Sequence, residues 1–221
     1  MNFKKIFAIL ALTASWIGVA TAQSTTYRLN SAGNYSSVTN YTNCPAGQTC
    51  ANYTTSMTQT GSFTLSSPVG ANLVNATITP TAYSFSDGIN TYSNTDAGSR
   101  INHFKLTTNG SGNITSTDII LSKWLSVTNG GVNDRVSYFG SSTGFSSNNE
   151  RCTAVSTSGG LNTCSSSLGP VYNDGGSSAR GATAASITPE APSAIPTLSE
   201  WALIFLASLM AMFAIRRKFR Q

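Results

Sequence analysis

Between Gln23 and Ala194 the apolar residues come singly or alternate with polar ones, and no stretch repeats them at the three-and-four spacing of an amphipathic helix. Ser, Thr, Asn and Gly dominate this body, with aromatic and β-branched residues scattered among them. Such a chain folds as half-buried strands joined by turns. Gly61-Ser62-Phe63-Thr64-Leu65 and Tyr83-Ser84-Phe85-Ser86 alternate, and Asp87-Gly88 then turns the chain before Ile89 and Tyr92, which predicts a hairpin. Phe104-Lys105-Leu106 runs into the loop Asn109-Gly110-Ser111-Gly112-Asn113, and another strand follows through Ile114, Ile119, Leu121 and Trp124. Val132, Val136 and Tyr138 mark a further one. The expected fold class is all-β, an antiparallel β-sandwich-like ectodomain that buries Phe63, Leu65, Ile78, Tyr83, Phe85, Phe104, Leu106, Ile114, Ile119, Leu121 and Trp124. A β-solenoid competes, and the lack of a fixed repeat period ranks it second.

Both ends of the chain carry apolar runs flanked by cations. Lys4 and Lys5 precede an apolar stretch from Ile6 to Val19, and Ala20-Thr21-Ala22 supplies small residues for cleavage, so residues 1–22 read as a signal peptide and Gln23 as the mature N-terminus. At the other end only Ser208 interrupts the apolar series from Trp201 to Ile215. At about 1.5 Å per residue, roughly 15 residues reach some 22 Å, short of a hydrocarbon core of roughly 30 Å. Leu198 and a snorkelling Arg216 or Arg217 lengthen this single C-terminal transmembrane helix, while Glu200 opposes it. Arg216, Arg217, Lys218 and Arg220 then form a stop-transfer cluster that belongs on the cytoplasmic side. The expected layout is ectodomain 23–172, flexible linker 173–194 and a terminal signal 195–221 with its span at 201–215.

The order Ile195-Pro196-Thr197-Leu198, then Trp201, an apolar run and a basic stop resembles the C-terminal sorting signal of the IPTL-CTERM family, relatives of the PEP-CTERM proteins. That resemblance implies an exosortase-type membrane transpeptidase that cuts near Ile195 to Leu198 and passes the ectodomain to a surface acceptor. Signal peptidase, the transpeptidase and the membrane are then the partners, with extracellular polysaccharide as a further one. The protein would be exported, held at the inner membrane before processing, and afterwards at the cell surface or extracellular. A plain single-span anchor is the alternative. Gly61-Ser62-Phe63, Phe85-Ser86-Asp87-Gly88 and Gly112-Asn113-Ile114-Thr115 also resemble segments that recur in PEP-CTERM-type ectodomains, which implies a sandwich-like surface module without known catalytic residues.

The formal net charge of +5 dissolves on inspection. Arg28, Arg100, Lys105, Lys123, Arg135, Arg151 and Arg180 are balanced between Gln23 and Ala194 by Asp87, Asp96, Asp118, Asp134, Glu150, Asp174 and Glu190. The excess sits at the two ends, so no basic face argues for nucleic acid. Cys44 with Cys50 and Cys152 with Cys164 read as two local disulfides of an exported domain, three pairings being formally open, and the spacings lack the close cysteine pairs of a zinc ribbon.

Catalytic parts are few. His103 is the sole imidazole and alternates with Phe104, so it reads as a solvent-facing strand histidine rather than a general base, and no nucleophile elbow or P-loop occurs. Asp87, Asp96 and Asp118 read as turn-capping residues ahead of calcium ligands. No catalytic residue, metal or cofactor is expected, and the chain reads as a non-enzymatic surface protein with a structural or matrix role. A carbohydrate-binding or adhesive module with Tyr35, Tyr41 or Tyr53 as an exposed platform is one alternative. A secreted hydrolase with an unrecognised site, testable through His103→Ala, is the other. Cleavage after Ala22 predicts that N-terminal sequencing of the exported chain starts at Gln23 and that Ala22→Arg blocks processing. An exported chain that retains Lys4 would refute it.

Overall fold

The computed structural model describes residues 24–30, 33–44, 50–141, 145–170, 175–181, 186–190, 202 and 204–210. The signal peptide with its Ala20 to Gln23 junction and the sorting motif Ile195 to Leu198 with Trp201 lie outside them, as do Arg216, Arg217, Lys218 and Arg220. The chain divides into two units, Met1–Glu190 and Ala191–Gln221.

The first unit is built from antiparallel strands in two sheets. One sheet takes β1 (Thr25–Asn30), β3 (Thr60–Leu65), β5 (Ala82–Ser86), β6 (Thr91–Ser93) and β13 (Ser186–Pro189) in the order β13-β1-β3-β5-β6. The other takes β2 (Ser37–Asn40), β4 (Ala76–Thr77), β7 (Ser99–Thr108), β8 (Ile114–Trp124), β9 (Arg135–Ser141), β10 (Phe145–Ser158) and β12 (Ser177–Arg180) in the order β2-β12-β10-β9-β8-β7-β4. β11 (Leu161–Ser167) pairs with the far half of β10 as a hairpin.

Period-two alternation decides which side chains enter the core. Tyr27 and Leu29, Phe63 and Leu65, Tyr83 and Phe85, Tyr92 and Ile187 come from the first sheet, and Phe104, Leu106, Ile119, Leu121 and Phe139 from the second, to form one buried cluster. Aromatic rings join the sheets: Phe63 meets Phe104 edge-on at 4.9 Å between centroids, and Phe85 meets Phe139 at 5.1 Å. Such pairs add about 0.5–1.5 kcal/mol beyond the area they bury. Gly61 keeps this contact close, because a Cβ there would lie 2.5 Å from the Phe85 ring. Ile78 and Ile114, expected inside, are partly buried against the same cluster.

The Asp87-Gly88 hairpin joins β5 to β6, and the Asn109 to Asn113 loop joins β7 to β8. Trp124 is buried as expected, but on the other side of its sheet. It packs with Val136 and the Cys152–Cys164 disulfide under the β10–β11 hairpin, and its indole N–H donates to the Asn162 carbonyl at 3.0 Å. Gly130 lies on the indole so closely that a Cβ would come within 2.4 Å of the ring. Cys44 pairs with Cys50, so both disulfides are the local ones.

The expected linker 173–194 is corrected in part. Ser177–Arg180 lies between β2 and β10, and Ser186–Pro189 closes the edge of the first sheet against β1. The Glu190 N–H donates to the Thr26 carbonyl, and its carboxylate accepts from the Arg28 guanidinium. The first and last described strands of the unit are therefore neighbours.

In the second unit residues 202 and 204–210 are helical, and the rest of the expected span 201–215 lies outside the described residues. Among the described residues no helix is long and apolar enough to cross a membrane.

Phe85 touches both sheets, so Phe85→Ala is expected to destabilise the domain by about 3–5 kcal/mol. Chemical denaturation checks this, and a midpoint equal to that of the parent would show that the interlock carries no load.

Candidate functional site

Inward positions at one end of the sandwich turn polar: Ser137 on β9, Ser147 and Asn149 on β10 and Ser177 on β12 are all buried. A fully buried carboxylate, Asp87, organises the facing side. Its Oδ1 accepts from the Ile89 and Asn90 N–H groups at 2.9 and 2.6 Å, which caps the β5–β6 turn. Its Oδ2 accepts from the hydroxyls of Tyr53 and Tyr92 at 2.9 and 2.8 Å. The Asp87 carbonyl accepts from Tyr35, whose hydroxyl also contacts Ser147 at 2.9 Å, and the Gln59 amide donates to Ser147 from the other side. Charge-assisted hydrogen bonds of this kind let a carboxylate sit away from water.

Burial raises the hydroxyl pKa of Tyr35, Tyr53 and Tyr92 above the usual tyrosine value, and the negative charge of Asp87 adds to it. On the outer face burial pushes Tyr138 up to about 12.

Beside this network a cleft of 220 Å³ opens between Ile89 and Asn90 of the turn, Leu125 and Ser126 after β8, Cys50 and Ala51 of the disulfide loop, and Arg135 and Asn149. Arg135 is 1% exposed, donates to Asn149 Oδ1 through Nε at 2.8 Å and to the Gly175 carbonyl at 3.0 Å.

The predicted functional residues do not assemble here. Tyr35 and Tyr53 are each 2% exposed, so the aromatic platform proposed for a carbohydrate does not exist on them, and Tyr41 stands apart as a half-buried residue. Their hydroxyls are consumed by Asp87 and Ser147. His103 is partly exposed on the outer face of β7, next to a bulge at Asn102, and faces Asp118 on β8 at 2.8 Å. Asp96 caps a turn through the Gly98 N–H and pairs with Lys123 at 2.6 Å. Among the described residues no cluster of His, Cys, Asp or Glu could hold a metal ion. Sequence reading missed Arg135 and Asn149 because each stands in a run of polar residues without a motif; the only signal was the period-two position that carries both to the inner face.

The first unit thus defines an antiparallel β-sandwich with a polar, capped end. Residues 193–220 match the IPTL-CTERM motif family, so the chain carries an IPTL-CTERM sorting motif at its C-terminal end. That motif marks a secreted surface protein. No curated protein and no solved structure matches the chain.

The buried tyrosines set an alkaline limit. Their folded-state pKa values lie above the unfolded value near 10, so the stability they contribute is intact below about pH 10 and falls as pH rises beyond it, by up to about 1.4 kcal/mol per pH unit for each tyrosine that ionises only on unfolding. Denaturation midpoints between pH 7 and 11 should stay level and then drop, with the drop reduced in Tyr53→Phe relative to its own neutral-pH stability; a profile unchanged through pH 11 would contradict the burial of these hydroxyls.

Proposed function

We propose that this protein is the substrate, rather than the agent, of a surface-sorting reaction. An exosortase-type transpeptidase recognises Ile195-Pro196-Thr197-Leu198 with Trp201, cuts within or beside that tetrapeptide and transfers the β-sandwich to a surface acceptor. The match of residues 193–220 to the sorting motif carries this reading. Three features support it. The signal-peptide pattern of residues 1–22 would deliver the chain for export, the local disulfides suit an oxidising compartment, and the cations after Ile215 suit a cytoplasmic stop. Residues 191–194 separate the last strand from Ile195 in sequence. In this reading the sandwich is a non-enzymatic cargo with a structural or matrix role. Its surface arrangement supports that reading over a hydrolase: the one histidine is engaged by Asp118 on an open strand face, and neither residue lines the cleft described above.

Pro196 separates sorting from plain anchoring. Proline holds the peptide extended for a protease-like groove, whereas an anchor depends on the apolar run and the basic stop. In a host with the matching transpeptidase, cell fractionation should find Pro196→Ala retained in the inner membrane and the parent released to the surface or medium. Identical membrane retention of both would leave the tail as an anchor.

A further inference from the structure

We infer that Asn129–Gly130 is a self-modifying site, at which the Asn129 amide is converted by its own chain and water into a carboxylate that pairs with Arg100. The guanidinium of Arg100 motivates this. Arg100 is 9% exposed, donates to the carbonyls of Ala97, Ser99 and Thr128 at 2.6, 2.9 and 2.9 Å, and has no acidic side chain within ion-pair distance among the described residues. Its Nε is buried without an acceptor. A cation held only by neutral carbonyls lacks a counter-charge in a place where water screens it little. The side chain next to it is the amide of Asn129, whose Oδ1 stands 3.5 Å from Nη2.

The reaction needs a nucleophile, a polarised carbonyl and a leaving amine, and the loop after β8 presents all three. Gly130 follows Asn129 directly and has no Cβ to screen its nitrogen. Oδ1 of Asn129 accepts from the Asn162 N–H at 2.6 Å and faces the Arg100 guanidinium, so negative charge developing on this oxygen meets a donor and a cation already in place. Nδ2 of Asn129 donates to the Gly160 carbonyl at 3.2 Å, and the Asn162 side chain donates to the Gly130 carbonyl at 2.9 Å. Asn129 is exposed, so water enters and ammonia leaves. The Gly130 nitrogen loses its proton to hydroxide and bonds to the side-chain carbonyl carbon; the bond from that carbon to Nδ2 breaks, and Nδ2 takes a proton from water and leaves as ammonia. Water then opens the cyclic imide at either carbonyl and yields aspartate or isoaspartate. No oxidant or reductant takes part.

The other Asn-Gly pair of the chain, Asn109–Gly110, supplies the contrast. Asn109 Oδ1 accepts from the Ser111 and Asn113 N–H groups at 3.0 Å each, so its partners are two amides of its own loop and no cation. The field of Arg100 is what distinguishes Asn129. Conversion also changes the structure. A carboxylate at position 129 gives Arg100 its counter-ion, and the isoaspartate form adds one carbon to the main chain just before Gly130, whose backbone lies against the Trp124 indole. The site is therefore a one-way switch on the loop that covers Trp124, independent of the sorting tail.

The full chain in detergent micelles, held folded in mildly alkaline buffer and then digested, tests this by mass spectrometry of the Asn129 and Asn109 peptides, with a parallel sample unfolded in guanidinium chloride. In the folded chain Asn129 should convert about tenfold faster than Asn109, the effect of about 1.4 kcal/mol of added transition-state stabilisation. Unfolding should bring the two rates together, because each is an asparagine followed by glycine. Asn129→Asp installs the product carboxylate directly and should raise the denaturation midpoint. Folded Asn129 converting no faster than Asn109, a difference that persists in the unfolded chain, or an Asn129→Asp midpoint at or below that of the parent would overturn the proposal.

Discussion

A single buried carboxylate holds one end of this sandwich together. Asp87 follows β5, and without it the turn to β6 would lose its cap while Tyr53 and Tyr92 would each be left with a buried hydroxyl lacking its carboxylate acceptor. Removing one member of such a network costs more than one hydrogen bond, because every former partner becomes unsatisfied. Tyr53 in turn anchors the segment after Cys50, and Tyr35 reaches the same turn from just before β2. The polar end therefore does by hydrogen bonding what Phe63, Phe85, Phe104 and Phe139 do by packing at the apolar end.

This division suits a chain so rich in serine, threonine and asparagine. Its strands supply too few large apolar side chains to fill both ends of the interior, and the buried serines compensate with short hydroxyl contacts such as Tyr92 to Ser137. The second reinforcement is covalent. Cys152–Cys164 ties the long β10–β11 hairpin over Trp124, and a loop of that size contributes on the order of 2–3 kcal/mol in the chain-entropy view. Reduction should therefore loosen the face around Trp124 while leaving the inter-sheet aromatic cluster in place.

Much of the sandwich was legible because its central strands obey a local rule. Phe63 and Leu65, and Tyr83 and Phe85, alternate with serine and threonine, Phe104 and Leu106 flank Lys105, and all of these with Ile119 and Leu121 are buried, while Asp87-Gly88 turns where a turn signal stands. The polar strands were not legible. Ser177–Arg180 brings only Ala179 as an apolar inward residue, and Ser186–Pro189 only Ile187, so neither shows a pattern until its distant partner is known. Trp124 stands three residues after Leu121, so unbroken alternation along β8 sends it to the opposite face, and what covers the indole there comes from residues 130 and 152–164. The tyrosines carried the same ambiguity: an aromatic ring among polar residues reads as a surface platform until the acceptor of its hydroxyl is located. For the cleft, Arg135 and Asn149 meet only through the pairing of β9 with β10.

The sandwich and the tail answer different questions. The fold explains how a hydroxyl-rich chain stays folded outside the cytoplasm, and the terminal motif explains how it would reach its place and stay there. The sign of a completed sorting event is a change in covalent mass, so intact-mass measurement of the mature protein recovered from the surface of its native host is the most direct test. A chain that begins at Gln23, ends between Ile195 and Leu198 and carries the mass of an acceptor is the predicted result. A surface-located chain that still extends to Gln221 would contradict it.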